Sequence, residues 1–383
     1  MPMGEGTRTH SVHTGEYKLP PTRHDARVTR VTSHSDAMVL HENRMPALLA
    51  IIRPFWTLGA AALVALACPW AACSDCAAPL QPEVTIFWLV IPAIFFMEGL
   101  SLPTRPMWAA TGRVGFHVSA LCFSFVLIPA AIFGLSRALL IQPNQTSSAL
   151  CEGLFALAAV PTTTSMNVMH TTASGGNAPV AAVSAVLGNV LALWATPALL
   201  RALGAQVGSI SFLGLAASVA GKMVVPLLAG QCVREWKGHV LAEHKPTLQS
   251  ITRLLQTLLM FQIFSDCIYW GQAIAPLLLL VVLPVAVALH LLFLALAWAW
   301  GSLLLRLPLP DTIAFTFCSA QKTVVLGLPL LRACFADRTP QARAQILLPL
   351  IGFHLFSLIF GFALAARFRQ LVEAQPLHQP LAQ

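Results

Sequence analysis

Two short polar runs interrupt otherwise apolar stretches of this chain: Pro161-Thr162-Thr163-Thr164-Ser165-Met166-Asn167 and Cys318-Ser319-Ala320-Gln321-Lys322-Thr323. Their side chains are hydroxyls, amides and one ammonium, groups that bind rather than break bonds. Pro161 has no amide hydrogen, so the carbonyl of Leu157 loses its helical partner. The hydroxyls of Thr162, Thr163, Thr164 and Ser165 can meet freed backbone groups, and Asn167 offers both a carbonyl and an amide. In the second run Lys322 stands about eleven residues beyond Asp311, hence about 16 Å along a helix axis. Gln321 and Thr323 flank it. An ammonium that deep in hydrocarbon must face a bundle interior or a water-filled cavity. Two readings follow for Lys322: it meets a carboxylate or sulfate or cycles a proton, or it is a structural cation held by backbone carbonyls. The first run likewise reads as a binding site or as a proline kink patched by neighbouring hydroxyls.

The elements that must position these residues are membrane spans. Apolar residues make up 57% of the chain and charged residues 10%, against about a quarter charged in soluble domains; mean hydropathy is +0.73. Ten segments are each close to the roughly 20 apolar residues that cross a bilayer: 47–72, 84–103, 107–134, 149–173, 178–200, 208–232, 250–270, 274–304, 311–335 and 343–366. A ninefold or elevenfold count stays open at the long first and eighth segments. The expected fold is an all-α membrane protein, with residues 47–200 and 208–366 as two five-helix halves. The polar runs break the fourth and ninth segments, at matching places in the halves. Broken backbone in hydrocarbon is tolerated where it is buried in protein or lines a cavity. Paired breaks in corresponding repeats point to the binding site of a secondary transporter.

Residues 1–46, rich in Thr, His, Ser and Arg, read as a disordered cytoplasmic tail, without the apolar core of a signal peptide. Residues 367–383 read as a second cytoplasmic tail, and the charged stretch 233–249 as a water-facing loop between the halves. The net charge of +8 does not point to nucleic acid, because its distribution is lopsided. With ten spans and the N-terminus inside, sixteen of the 23 Lys and Arg fall on the cytoplasmic side and five outside, with Lys222 and Lys322 within spans. That asymmetry places both termini in the cytoplasm, in a multi-pass protein of the plasma (inner) membrane. Cys73 and Cys76 form a CxxC in an external loop; they read as two plain loop cysteines, or as a disulfide if that side is oxidising, and zinc lacks a second ligand pair. Lys222, Glu98, Asp266, His117, His170, His290 and His354 are weaker candidates, and most of them read as hydrogen-bonded core residues. Val224 to Gln231 puts small residues and an amide on one helix, suited to close packing. No phosphate loop, nucleophile elbow or metal-binding helix is present, so the chain does not read as an enzyme.

Phe95-Phe96-Met97-Glu98-Gly99-Leu100-Ser101-Leu102, the first break with Gly175-Gly176-Asn177, Val224 to Gln231, and Asp311 to Leu330 carry a resemblance. The chain resembles the bile acid:sodium symporter family over about residues 50–367, and is most similar to its divergent SBF-like branch of orphan transporter-like proteins. The resemblance implies two inverted five-helix repeats, a panel domain (helices 1, 2, 6 and 7) and a core domain (helices 3, 4, 5, 8, 9 and 10). Discontinuous helices 4 and 9 would cross in the core, and an organic anion would move with sodium in the crevice between the domains. Carried over by residue, Asn167 matches a sodium-binding asparagine and Gln321 a family glutamine. Met166 stands where a serine ligand is expected, Phe317 where a shared glutamate falls, and Lys322 where an asparagine falls; Ser184 is the nearest hydroxyl in helix 5. Losing an anionic ligand and gaining an ammonium both work against a hard cation. The expected function is therefore secondary transport of a small organic anion, with sodium coupling altered or absent and sodium or a proton as the coupling ion. The alternative is a membrane regulator that keeps the fold and no longer cycles. No cofactor is implied; the expected partners are the anion, the lipid bilayer and, for a homodimer, a second copy.

Overall fold

The computed structural model describes residues 56–139, 145–205, 207–208, 212–270 and 276–375. The expected tail 1–46, the start of the first segment and residues 376–383 lie outside them. The described elements are helical: α1 (Trp56–Ala67), α2 (Pro82–Ser101), α3 (Thr104–Thr111), α4 (Val114–Ala138), α5 (Gln145–Ala159), α6 (Thr164–Ala173), α7 (Ala178–Ala202), α8 (Phe212–Glu243), α9 (Lys245–Trp270), α10 (Pro276–Ala299), α11 (Leu309–Ala320), α12 (Gly327–Cys334) and α13 (Pro340–Glu373). Among the described residues six helices are long and apolar enough to cross a membrane: α2, α4, α7, Ala216–Gly238 of α8, Leu280–Leu304 and α13. The chain is a multi-pass membrane protein.

Where the helices depart from the expected segments, local chemistry gives the reason. The charged stretch 233–249 is not a loop: α8 runs through it to Glu243 and α9 starts at Lys245, with a kink at Lys237 (φ −120°, ψ 23°). Its Arg, Glu, Lys, Leu and Ala are good helix formers, so polarity marked exposure there and not irregular backbone. Helix α13 likewise continues past 366 to Glu373. The fourth and ninth segments are each two helices, α5 with α6 and α11 with α12, separated by 160–163 and 321–326.

Two wide turns sit just before prolines. The backbone is in π register at Thr85–Val90 and at Phe123–Leu127, ahead of Pro92 and Pro129. In the second, Ile128 N–H bonds to Phe123 O. The usual partner of the Ser124 carbonyl is thereby taken, and residue 129, next in π register, has no N–H. Ser124 is left with a free acceptor inside the bundle.

The helices pack in two neighbourhoods. Helix α2 lies along α8, and α9 packs on α1 and α2. In the second, α5 packs on α4 and α13, α10 on α11 and α13, and α7 on α6 and α11; between the two, α8 touches α7 and α9 touches α13. The α2–α8 contact is made by glycines: a Cβ on Gly99 would stand 2.2 Å from Leu227 O, and one on Gly230 2.3 Å from Phe96 O. Beyond it Gln231 Nε2 donates to Gly99 O at 2.6 Å and Leu102 O at 3.0 Å. The small residues expected to allow close packing at Val224–Gln231 do so.

At one end of the molecule Cys73 and Cys76 are joined in a disulfide, not left as plain loop cysteines. The loop presents Asp75, at φ +57°, between two arginines. Asp75 Oδ2 accepts from Arg332 Nη2 and Arg343 Nη2, each at 2.6 Å. Its neighbour Ser74 donates through N and Oγ to Asp266 at 2.6 and 3.0 Å. Elsewhere Asp311 pairs with Arg113 and accepts from Asn177 Nδ2 at 2.8 Å, tying the start of α11 to the start of α7.

Candidate functional site

The first break exposes the last carbonyls of α5, and each from Ala158 to Pro161 has a donor. Lys322 Nζ reaches Ala158 O at 3.1 Å and Val160 O at 2.9 Å. Thr196 Oγ1 donates to Ala159 O at 2.6 Å, and the Thr323 amide to Pro161 O at 2.9 Å. The two broken segments therefore touch through backbone. Lys322 completes its shell with Ser124 O and Oγ, both at 3.1 Å, using the carbonyl that Pro129 leaves free. Three ammonium hydrogens face four oxygens, and the side chain is fully buried. A cation on carbonyls at a helix C-terminus also meets the negative end of the dipole. This geometry is that of the structural ammonium, and Lys322 does not border the cavity described below.

At the other side of the break α6 starts with Thr163 as N-cap, whose side chain makes no capping bond. Three of the hydroxyls bond side chains. Thr162 Oγ1 accepts from Asn167 Nδ2 at 2.7 Å, Thr164 Oγ1 from Asn189 Nδ2 at 2.8 Å, and Ser165 Oγ donates to Glu98 Oε1 on α2. In the second break Gln321 is extended (φ −81°, ψ 152°); its Nε2 bonds His170 Nδ1 at 2.7 Å. The Lys322 carbonyl accepts from His354 Nδ1 at 3.1 Å. Asn167 Oδ1 and Gln321 Oε1 are buried without a protein donor, a cost that an added ligand could relieve.

A cavity of about 120 Å³ lies between the two helix neighbourhoods. Thr163, Ser165 and Met166 border it from the first break and α6, Val325 from the second break, His354 from α13 and Arg253 from α9. Of the residues singled out in the sequence, Thr163 and Ser165 line it. Thr162, Thr164, Asn167, Gln321, Lys322 and Thr323 are buried behind it, and Ser184 is buried on α7. Sequence reasoning passed over Ser124, Asn189, Thr196, Arg253 and the placement of Glu98, His170 and His354. Pro129 was a legible signal for Ser124; the others carry no local signal. Phe317, at the position carried over from the family's glutamate, packs against His170 (ring centroids 5.2 Å) and Phe368 (5.8 Å). No carboxylate occupies that place.

The pattern that defines the SBF-like CPA transporter family matches residues 54–370. Sodium/bile acid cotransporter 7 of Xenopus tropicalis is 28% identical over 288 residues, 75% of this chain and 83% of the relative. The mouse protein of the same name is 28% identical over 291 residues, covering 75% and 84%. An uncharacterized protein of Pseudomonas aeruginosa is 29% identical over 295 residues, covering 75% and 86%.

Proposed function

Because the chain belongs to the SBF-like CPA transporter family, a family of transporters and not of enzymes, we propose that it is a secondary active transporter of a small organic anion. The observation that carries this reading is the cavity, which meets both helix breaks and is lined from both helix neighbourhoods. In this reading ten spans form two inverted five-helix repeats. Helices α1, α2, α8 and α9 make the panel; α4 to α7 and α10 to α13 make the core, with the broken segments crossing in it. The packing partners support that division. The anion binds at the start of α6, to Thr163 and Ser165, with Arg253 supplying positive charge from the panel. At about 120 Å³ the cavity is below the roughly 300–1,000 Å³ of drug-sized pockets. A bile-acid-sized substrate therefore requires panel and core to part.

Lys322 holds the break in shape, so that Thr162, Thr164, Asn167, Gln321 and Thr323 support the site from behind. Sodium contributes little in this proposal, for two physical reasons. Phe317 offers no oxygen where the family glutamate would bind, and Met166 replaces a hydroxyl; a hard cation prefers oxygen ligands. The proposed setting is the plasma (inner) membrane with both termini cytoplasmic, and a homodimer is compatible with it. The test is counterflow uptake in proteoliposomes with a panel of carboxylates and sulfates, beginning with bile acids because the relatives are named for them. Exchange of at least one anion, unchanged when sodium is replaced by potassium, is the expected result. No exchange of any anion would favour the regulator.

A further inference from the structure

Glu98 belongs to α2, which packs on α8 and α9, yet its carboxyl reaches across to the start of α6. Ser165 Oγ donates to Glu98 Oε1. Helix α6 is ten residues long and has no side-chain N-cap, so Glu98 is the anion at its positive end. The residue is 7% exposed, and its second oxygen, Oε2, is buried without a protein donor.

Among the described residues Glu98 enters no ion pair. On α8, Arg234 donates to Leu100 O at 2.6 Å and Lys222 lies over the Trp88 ring at 4.1 Å. On α9, Arg253 borders the cavity. On α6 His170 is engaged by Gln321, on α13 His354 by the Lys322 carbonyl, and Lys322 itself by its four oxygens. A half-satisfied carboxylate at membrane depth is costly, and adding a proton removes the charge. Ser165, its main partner, also borders the cavity, so an entering anion and Glu98 compete for the same donors.

We propose that Glu98 is a built-in occupant of the anion site, and that it yields the start of α6 to a carboxylate or sulfate by taking up a proton. Glu98 carboxylate, one proton and one monovalent substrate anion (a carboxylate or a sulfate ester) become Glu98 carboxylic acid and bound anion, so the charge at the site is unchanged by the exchange; inorganic sulfate, a dianion, would add one negative charge. Because Glu98 stands on α2 and Ser165 on α6, the same proton releases one helix neighbourhood from the other. This inference rests on the anion-transport reading above.

Two measurements test it. Infrared difference spectra of the wild-type protein between mildly acidic and mildly alkaline solution should contain a buried carboxylic acid band that E98Q lacks. Binding of cholate, with inorganic sulfate as a second probe, should weaken by about tenfold per pH unit on the alkaline side in the wild type, as one linked proton requires. E98Q should bind with little pH dependence, and at least about tenfold more tightly than the wild type on the alkaline side. A wild type without the titrating band, or an E98Q variant that keeps the wild-type pH slope, would overturn the role of Glu98 alone. If neither protein binds cholate or sulfate at any pH, the anion reading fails and takes the exchange with it.

Discussion

Lys322 and Glu98 answer opposite ends of one interruption. The ammonium sits on the last carbonyls of α5 and the carboxyl on the Ser165 hydroxyl at the start of α6, each matched in sign to the dipole it faces. Removing the ammonium strands Ala158 O, Val160 O and Ser124 O in a water-poor interior, where an unsatisfied group costs about 1–3 kcal/mol. K322A should therefore unfold several degrees below the wild type in detergent, and K322R should rescue it poorly, because a planar guanidinium does not fit four oxygens arranged around one nitrogen. T196V removes one donor, to Ala159 O, and should lose only about 1 kcal/mol. Equal losses for K322A and T196V in thermal denaturation would contradict the reading of Lys322 as the donor that holds three carbonyls at once.

Between elements, the α2–α8 seam is the most constrained contact. A methyl group on Gly99 or Gly230 meets backbone, at 2.2 and 2.3 Å, and backbone cannot rotate aside. G99A and G230A should each destabilise by about 1–3 kcal/mol. The double variant should fall short of their sum, since both open the same seam. The comparison is made by thermal unfolding or proteolysis in detergent. At this scale much was legible in the sequence: Pro161, the hydroxyl run and the glycines announced the breaks and the seam. The ladder shift before Pro129 was harder to see, because a proline marks where a partner is missing without saying who replaces it. The partners of Lys322 lie 198, 164 and 162 residues away in the chain, a separation that no local pattern encodes. The same holds for the site: Thr163 and Ser165 were legible by type, whereas Arg253 and His354 reach the cavity only through the packing of α9 and α13. The stretch 233–249 was misread because charge speaks to exposure and not to backbone conformation.

For the whole molecule, the expected ion response is a weak one to sodium. A ligand at a hundred times its dissociation constant stabilises by about 2.7 kcal/mol; sodium should raise the unfolding midpoint by much less than that relative to potassium, as read by fluorescence-detected melting. A shift of the full size, specific to sodium, would mean that oxygens other than those lost at Phe317 and Met166 build a cation site. The cluster at the disulfide loop has another consequence. Asp75 on the α1–α2 connection is shared by Arg332 of α12 and Arg343 of α13, with side-chain exposures of 35%, 14% and 15%. It is a charged clasp between parts that the transport reading requires to separate. Such a clasp weakens as added electrolyte shortens the Debye length from about 10 Å at 0.1 M towards 3 Å at 1 M. The populations of the closed and parted forms should then depend on ionic strength. Spin labels on the Cys73–Cys76 loop and on α12 should spread to longer distances in high salt, and D75N should reach that distribution in low salt.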